Sequence, residues 1–112
     1  MATLDNIMDY LADHITSPFE EAIDVYVSVN DTWTCPQDGI VVMLCTRIGA
    51  KNNTIWYIQD LTANIYAIGA LNSYISAGTS VTTSFPVIKG HVYKNIYEDG
   101  VTDAHLYYYK IK

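Results

Sequence analysis

From Ala22 onward, apolar residues recur at every second position in short runs, each closed by a turn. Ile23, Val25, Val27 and Val29 alternate with Asp24, Tyr26, Ser28 and Asn30. Val81, Thr83 and Phe85 alternate with Ser80, Thr82 and Ser84. Successive side chains of a strand leave opposite faces, so a period of two prescribes half-buried antiparallel strands. Turn formers bound the runs at Asn30-Asp31, Pro36–Gly39, Gly49–Asn53, Pro86–Gly90 and Glu98–Gly100. Between them lie the strand-like stretches Thr32–Cys35, Ile40–Ile48, Thr54–Gln59, His91–Tyr97 and Ala104–Ile111. Roughly eight or nine short strands, with turns about every eight to twelve residues, predict a mainly β fold. The expected architecture is a jelly-roll-like antiparallel β-sandwich.

Two stretches depart from simple alternation. Ile40–Ile48 is apolar on both faces, with Ile40, Val42 and Leu44 on one and Val41, Met43 and Cys45 on the other. Such a strand is expected at the centre of a sheet, or covered on its outer side by another subunit. In residues 61–76, Ile65, Ala67 and Leu71 also fit a helical period. Abundant Tyr and Ile and the lack of helix caps favour two short strands interrupted near Gly69.

The helical pattern is confined to the first sixteen residues. Leu4, Met8, Leu11 and Ile15 follow a heptad seam, and Ile7 widens it. Thr3 is placed to cap the start, and Ser17-Pro18 ends the helix. A helix this short is marginal alone, so it must dock on its own domain or bundle with copies of itself. The second reading makes Leu4, Ile7, Met8, Leu11 and Ile15 oligomerisation residues. Residues 1–18 then form a stalk or attachment helix, and residues 19–112 a β head with Phe19 at the junction. Two heptads are too short to hold an assembly alone, so the heads are expected to supply most of the association, through apolar strand faces around Ile40–Ile48.

Half of the residues are hydrophobic and only 16% are charged, which agrees with apolar surface covered by another subunit. The net charge is −6, and the six Lys and Arg residues are scattered. No basic footprint for nucleic acid or an anionic membrane results. No apolar run approaches a membrane span, and the N-terminus lacks the basic region of a signal peptide. Synthesis in a cytoplasm is expected. Cys35 and Cys45 flank the turn at 36–39. Two arrangements fit: a disulfide between neighbouring strands, or two free buried thiols, the commoner state in a cytosolic product.

The catalytic inventory is thin. His14, His91 and His105 lie in different elements, with no His-x-x-x-His pair, nucleophile elbow, phosphate loop or acidic calcium loop nearby. The adjacent Glu20 and Glu21 read as solvated linker charge. No catalytic, cofactor-binding or metal-ligating residues are expected, and the chain does not read as an enzyme. Aromatic residues are richer, with ten Tyr. In Tyr107-Tyr108-Tyr109 the middle ring must face away from its neighbours. Strand propensity accounts for many Tyr in a β protein. Those left exposed suit sugar rings or protein interfaces, and Trp33, Trp56, Tyr97 and Tyr107 are the candidate ligand-contacting aromatics. Asn30-Asp-Thr32 and Asn52-Asn-Thr54 fit a glycosylation pattern but read as turn chemistry.

Three stretches carry a resemblance. The opening Met-Ala-Thr-Leu-Asp-Asn-Ile-Met-Asp-Tyr-Leu resembles the start of small virion proteins of phages and prophages of gut Firmicutes. Trp33-Thr-Cys-Pro-Gln-Asp-Gly39 is similar to a Thr-x-Pro-x-Asp-Gly lead-in to a central strand of such heads. Phe85-Pro-Val-Ile-Lys-Gly90 is similar to their Phe-Pro-Val-Lys-Lys-Gly, with Ile88 in place of the first Lys. The resemblance implies a virion surface component, homotrimeric, of the tail-fibre, head-fibre or receptor-binding kind. Its expected partners are copies of itself, another virion protein held through the N-terminal helix, and a host-surface glycan. A non-adhesive decoration protein and a monomeric carbohydrate-binding module are the alternatives.

Overall fold

The computed structural model describes residues 17–46, 53–73 and 79–112. The expected helix, with Leu4, Ile7, Met8, Leu11 and Ile15, and the loop residues 49–52 lie outside the described residues. The strands are β1 (Ile23–Asp24), β2 (Thr32–Thr34), β3 (Gly39–Thr46), β4 (Thr54–Asp60), β5 (Ile65–Ser73), β6 (Ser80–Val87), β7 (Val92–Asp99) and β8 (Thr102–Lys110). All pairings are antiparallel. They build two four-stranded sheets, in the orders β1-β8-β3-β6 and β2-β7-β4-β5. The chain changes sheet after every strand except β4, whose hairpin to β5 stays within one sheet.

The inner faces of both sheets share one core. Val41 and Met43 of β3, Phe85 of β6, and Leu106 and Tyr108 of β8 meet Trp56 and Ile58 of β4, Leu71 of β5 and Tyr93 of β7. Each such side chain contributes about 1.5–3 kcal/mol through burial. Trp33 bridges the layers, 5.8 Å from the Tyr93 ring and 4.9 Å from Tyr108. The doubly apolar β3 is central, between β8 and β6. Its Val41, Met43 and Cys45 are buried, while Ile40, Val42 and Leu44 are half-buried on the sheet's outer side.

Gly69 lies where the layers come closest. A Cβ there would stand 2.5 Å from the Phe85 ring and 2.9 Å from the Met43 sulfur. Two separate strands were expected around Gly69, but β5 is one strand from Ile65 to Ser73, and what breaks beside Gly69 is its pairing with β4, where Ile58 pairs with Gly69 and Asp60 with Ile65. The glycine admits the facing sheet instead of breaking the strand.

The strand expected over Ile23–Val29 shortens to two paired residues, Ile23 with Tyr108 and Asp24 with Tyr107. Ile23 is 62% exposed. The cause is Asp24, whose carboxylate accepts the backbone N–H groups of Tyr26 (3.0 Å) and Leu106 (3.2 Å). A short acidic side chain that competes for backbone donors ends a regular ladder. Cys35 and Cys45 are both buried and free. Cys35 follows β2, whereas Cys45 lies in β3 of the other sheet. Burial pushes the Cys45 thiol up to about 11, so it stays protonated and unreactive at neutral pH.

Candidate functional site

Trp56 and Ile58 of β4 point inward, so Tyr57 between them points outward. Its ring stands 6.2 Å from Tyr97 of β7 and 6.4 Å from Tyr66 of β5, inclined by 34° and 51°. The three rings form a row across three neighbouring strands on the outer face of β2-β7-β4-β5. Tyr66 is 66% exposed and Tyr97 45%, and Tyr57 is half-buried between them.

Two breaks in register produce this row. Tyr57 pairs with Tyr97, but Ile58 pairs with Asn95, so Ile96 is an extra residue in β7. Tyr93 and Asn95 are buried on the inner side. Unbroken alternation would turn Tyr97 inward too, and the extra residue turns it out. On the other side of β4, Ile58 pairs with Gly69 and Asp60 with Ile65, so β5 also carries surplus residues beside Tyr66. Re-aiming a side chain is a recurrent use of such bulges.

Buried Asn95 anchors the β7 bulge. Its amide donates to the Val27 carbonyl (2.9 Å) and to the Glu98 carboxylate. Its backbone carbonyl accepts from Asn30 N–H (2.7 Å), and its N–H donates to the Asp31 carbonyl (3.2 Å). Glu98 also accepts from the Tyr26 hydroxyl at 2.7 Å. Burial, reinforced by Glu98, pushes that phenol up to about 12, so it remains a donor.

Gln59 and Lys94, a cross-strand pair, sit beside the row. Flat aromatic faces next to an amide and an ammonium match a sugar ring, which offers C–H faces for stacking and hydroxyls for hydrogen bonds.

The four aromatics singled out from the sequence do not converge. Tyr97 belongs to the row. Trp56 is fully buried in the core and has no access to a ligand, because β4 alternates and its even positions face the other sheet. Trp33 is half-buried against Tyr93 and Tyr108. Tyr107 lies on the opposite sheet, stacked on His105 at 5.1 Å and 12°. Tyr57 and Tyr66 were missed, although the adjacency of Trp56 and Tyr57 requires one of that pair to point out. Tyr108 is buried, facing away from Tyr107 and Tyr109 as its position in the triplet requires.

Among the described residues, His91 and His105 meet two separate carboxylates. His105 Nδ1 lies 2.8 Å from Asp24 Oδ2, and His91 Nδ1 lies 2.9 Å from Asp60 Oδ2. Among the described residues no group of three or more His, Cys, Asp or Glu is placed to hold a metal ion. Burial alone would raise the Asp60 carboxyl, but the Ala63 N–H and the His91 ring outweigh it and hold Asp60 below its ordinary 3.8. A depressed carboxyl means that the unfolded chain binds the proton more readily. Its contribution is complete above pH 3.8 and is lost as pH falls through the lower folded value. Asp60→Asn is therefore expected to lower the melting temperature at pH 6 and to differ less from wild type at pH 2. Thermal melts followed by circular dichroism check this; a gap that does not shrink with acid contradicts it.

No family model, curated protein or solved structure matches the chain.

Proposed function

We propose that this chain is an oligomeric phage virion surface protein, a receptor-binding or fibre-tip adhesin that holds a host-surface glycan on Tyr66, Tyr57 and Tyr97. The observation that carries the reading is the tyrosine row, turned outward by two bulges on either side of one strand. Exposed Tyr provides large contact area at low entropic cost. The three sequence stretches similar to virion proteins support placement on a phage particle. The nested pairing of β1 with β8, β2 with β7, β3 with β6 and β4 with β5 supports the finer architecture, a jelly roll. That architecture is shared by viral capsid and lectin domains. Several copies on one particle turn a weak site into firm attachment, since linked sites multiply affinity.

A glycan array with the full chain tests this. Wild type is expected to retain a defined glycan, and Tyr66→Ala to weaken binding about tenfold, the loss of one good contact of about 1.4 kcal/mol. Tyr66 is exposed, so its removal leaves the far-ultraviolet circular dichroism unchanged. An intact oligomer with no glycan hit, or a Tyr66→Ala variant that binds as wild type does, overturns the adhesive reading in favour of a decoration protein.

A further inference from the structure

We infer that the outer face of β1-β8-β3-β6 is the surface on which a second copy of this chain packs. This deepens the oligomeric part of the function proposed above and rests on it. Ile40, Val42 and Leu44 leave β3 on that side, because Val41, Met43 and Cys45 fill the core. Tyr109 is the cross-strand neighbour of Ile40, and Tyr107 that of Val42. Phe19 extends the patch, its ring edge-on to Tyr109 at 6.5 Å. The outward side of an antiparallel sheet facing water is ordinarily polar. Here six aliphatic and aromatic side chains stand together instead.

The border of the patch is as unusual as its centre. β6 is an edge strand of eight residues without a charged side chain, while β1 at the other edge has two residues. Long edges are normally blunted by charge, because unpaired strand groups invite pairing. Pro86 is the single such device in β6. From Leu61 to Ile88 the chain contains no Asp, Glu, Lys, Arg or His.

These features select a like partner. Two copies, each of net charge −6, repel wherever their acidic surfaces meet. On this face β3 and β6 carry no charge, and on the β8–β1 side the Asp24 carboxylate is met by His105 at 2.8 Å, so two copies can approach there with little of that penalty. The route of the chain agrees. Residues 1–16 join at Ser17, and Phe19 bridges to Ile111 at the Tyr109 end of the patch. The chain before Ser17 is therefore tethered beside this face. The tyrosine row on the opposite sheet stays free.

Sedimentation or light scattering of the full chain at micromolar concentration is the test, with wild type compared to Val42→Arg. Wild type is expected at a multiple of 12.6 kDa, and Val42→Arg at 12.6 kDa with unchanged circular dichroism. If Val42→Arg fails to fold, Ser84→Arg replaces it, since Ser84 is the exposed neighbour of Val42 on β6. A monomeric wild type overturns the inference, including the case in which residues 1–16 fold back over the face. So does a folded Arg variant of wild-type mass. Glycan binding, read on the same samples, separates this failure from that of the adhesive reading. A monomer that still binds glycan refutes the interface together with the oligomeric part of that function, an oligomer whose Arg variant keeps its mass refutes only the interface, and an intact oligomer that binds none refutes only the tyrosine row.

Discussion

Trp56→Ala is expected to destabilise the domain by about 3–5 kcal/mol, the cost of deleting a large buried aromatic and leaving a cavity. Trp56 is fully buried in β4, flanked in its sheet by β5 and β7, and the Tyr26 ring packs edge-on against it at 6.0 Å. Its neighbours belong to two sheets and cannot all collapse into the gap. A domain of this size is stable by only about 5–15 kcal/mol, so the substitution removes a large share of the total. Urea denaturation measures it as a lower midpoint. Trp56→Phe keeps an aromatic in place and should cost clearly less. A Trp56→Ala variant of wild-type stability that fails to bind glycan would return Trp56 to the surface and contradict the placement described above.

Asn95→Leu is the second large effect, about 2–3 kcal/mol. Leucine keeps the branched side-chain skeleton with bulkier methyl ends, and both side-chain donations disappear. Hydrogen bonds to charged groups are worth about 1.5–3 kcal/mol, and a deserted buried acceptor adds to the loss. Glu98 retains only the Tyr26 hydroxyl of the two side-chain donors described, and the Val27 carbonyl loses its partner. The effect extends to the surface, because Asn95 fixes the bulge that turns Tyr97 outward. If the proposed adhesive function holds, glycan affinity should fall with stability; in any case exchange of the Asn30 amide should accelerate, since that N–H donates to the Asn95 carbonyl. A variant that loses stability but keeps full affinity would separate the bulge from the binding surface.

Much of the layered fold was legible in the residues. Ser80–Val87 alternates as its burial does, with Phe85 and Val87 inward. Ile40–Cys45 announced a central strand by being apolar on both sides. Local pattern fails where a side chain or a neighbouring strand decides. The period of Ile23–Val29 is as clear as any, yet Asp24 diverts the backbone donors that would continue the ladder. Gly69 carries the signature of a break, and only the facing Phe85 reveals why it is there. The tyrosine row was the least legible part. A bulge is a mismatch between two strands, so the outward turn of Tyr97 is not written in β7 alone. Alternation from Tyr93 points it the wrong way. Tyr57, by contrast, followed from a rule already applied to Tyr107–Tyr109.

The placement of β8 between β1 and β3 has a kinetic consequence. The first described strand pairs with the last, Phe19 bridges to Ile111, and the Lys112 N–H donates to the Pro18 carbonyl at 2.9 Å. Contacts so distant along the chain make folding slow, on the order of milliseconds to seconds for β domains of this type. They also make it late. Until β8 has left the ribosome, β3 lacks a neighbour on one side and β1 has nothing to pair with. The two sheets close only once β8 is in place, so its removal would unfasten β1 and β3 at once.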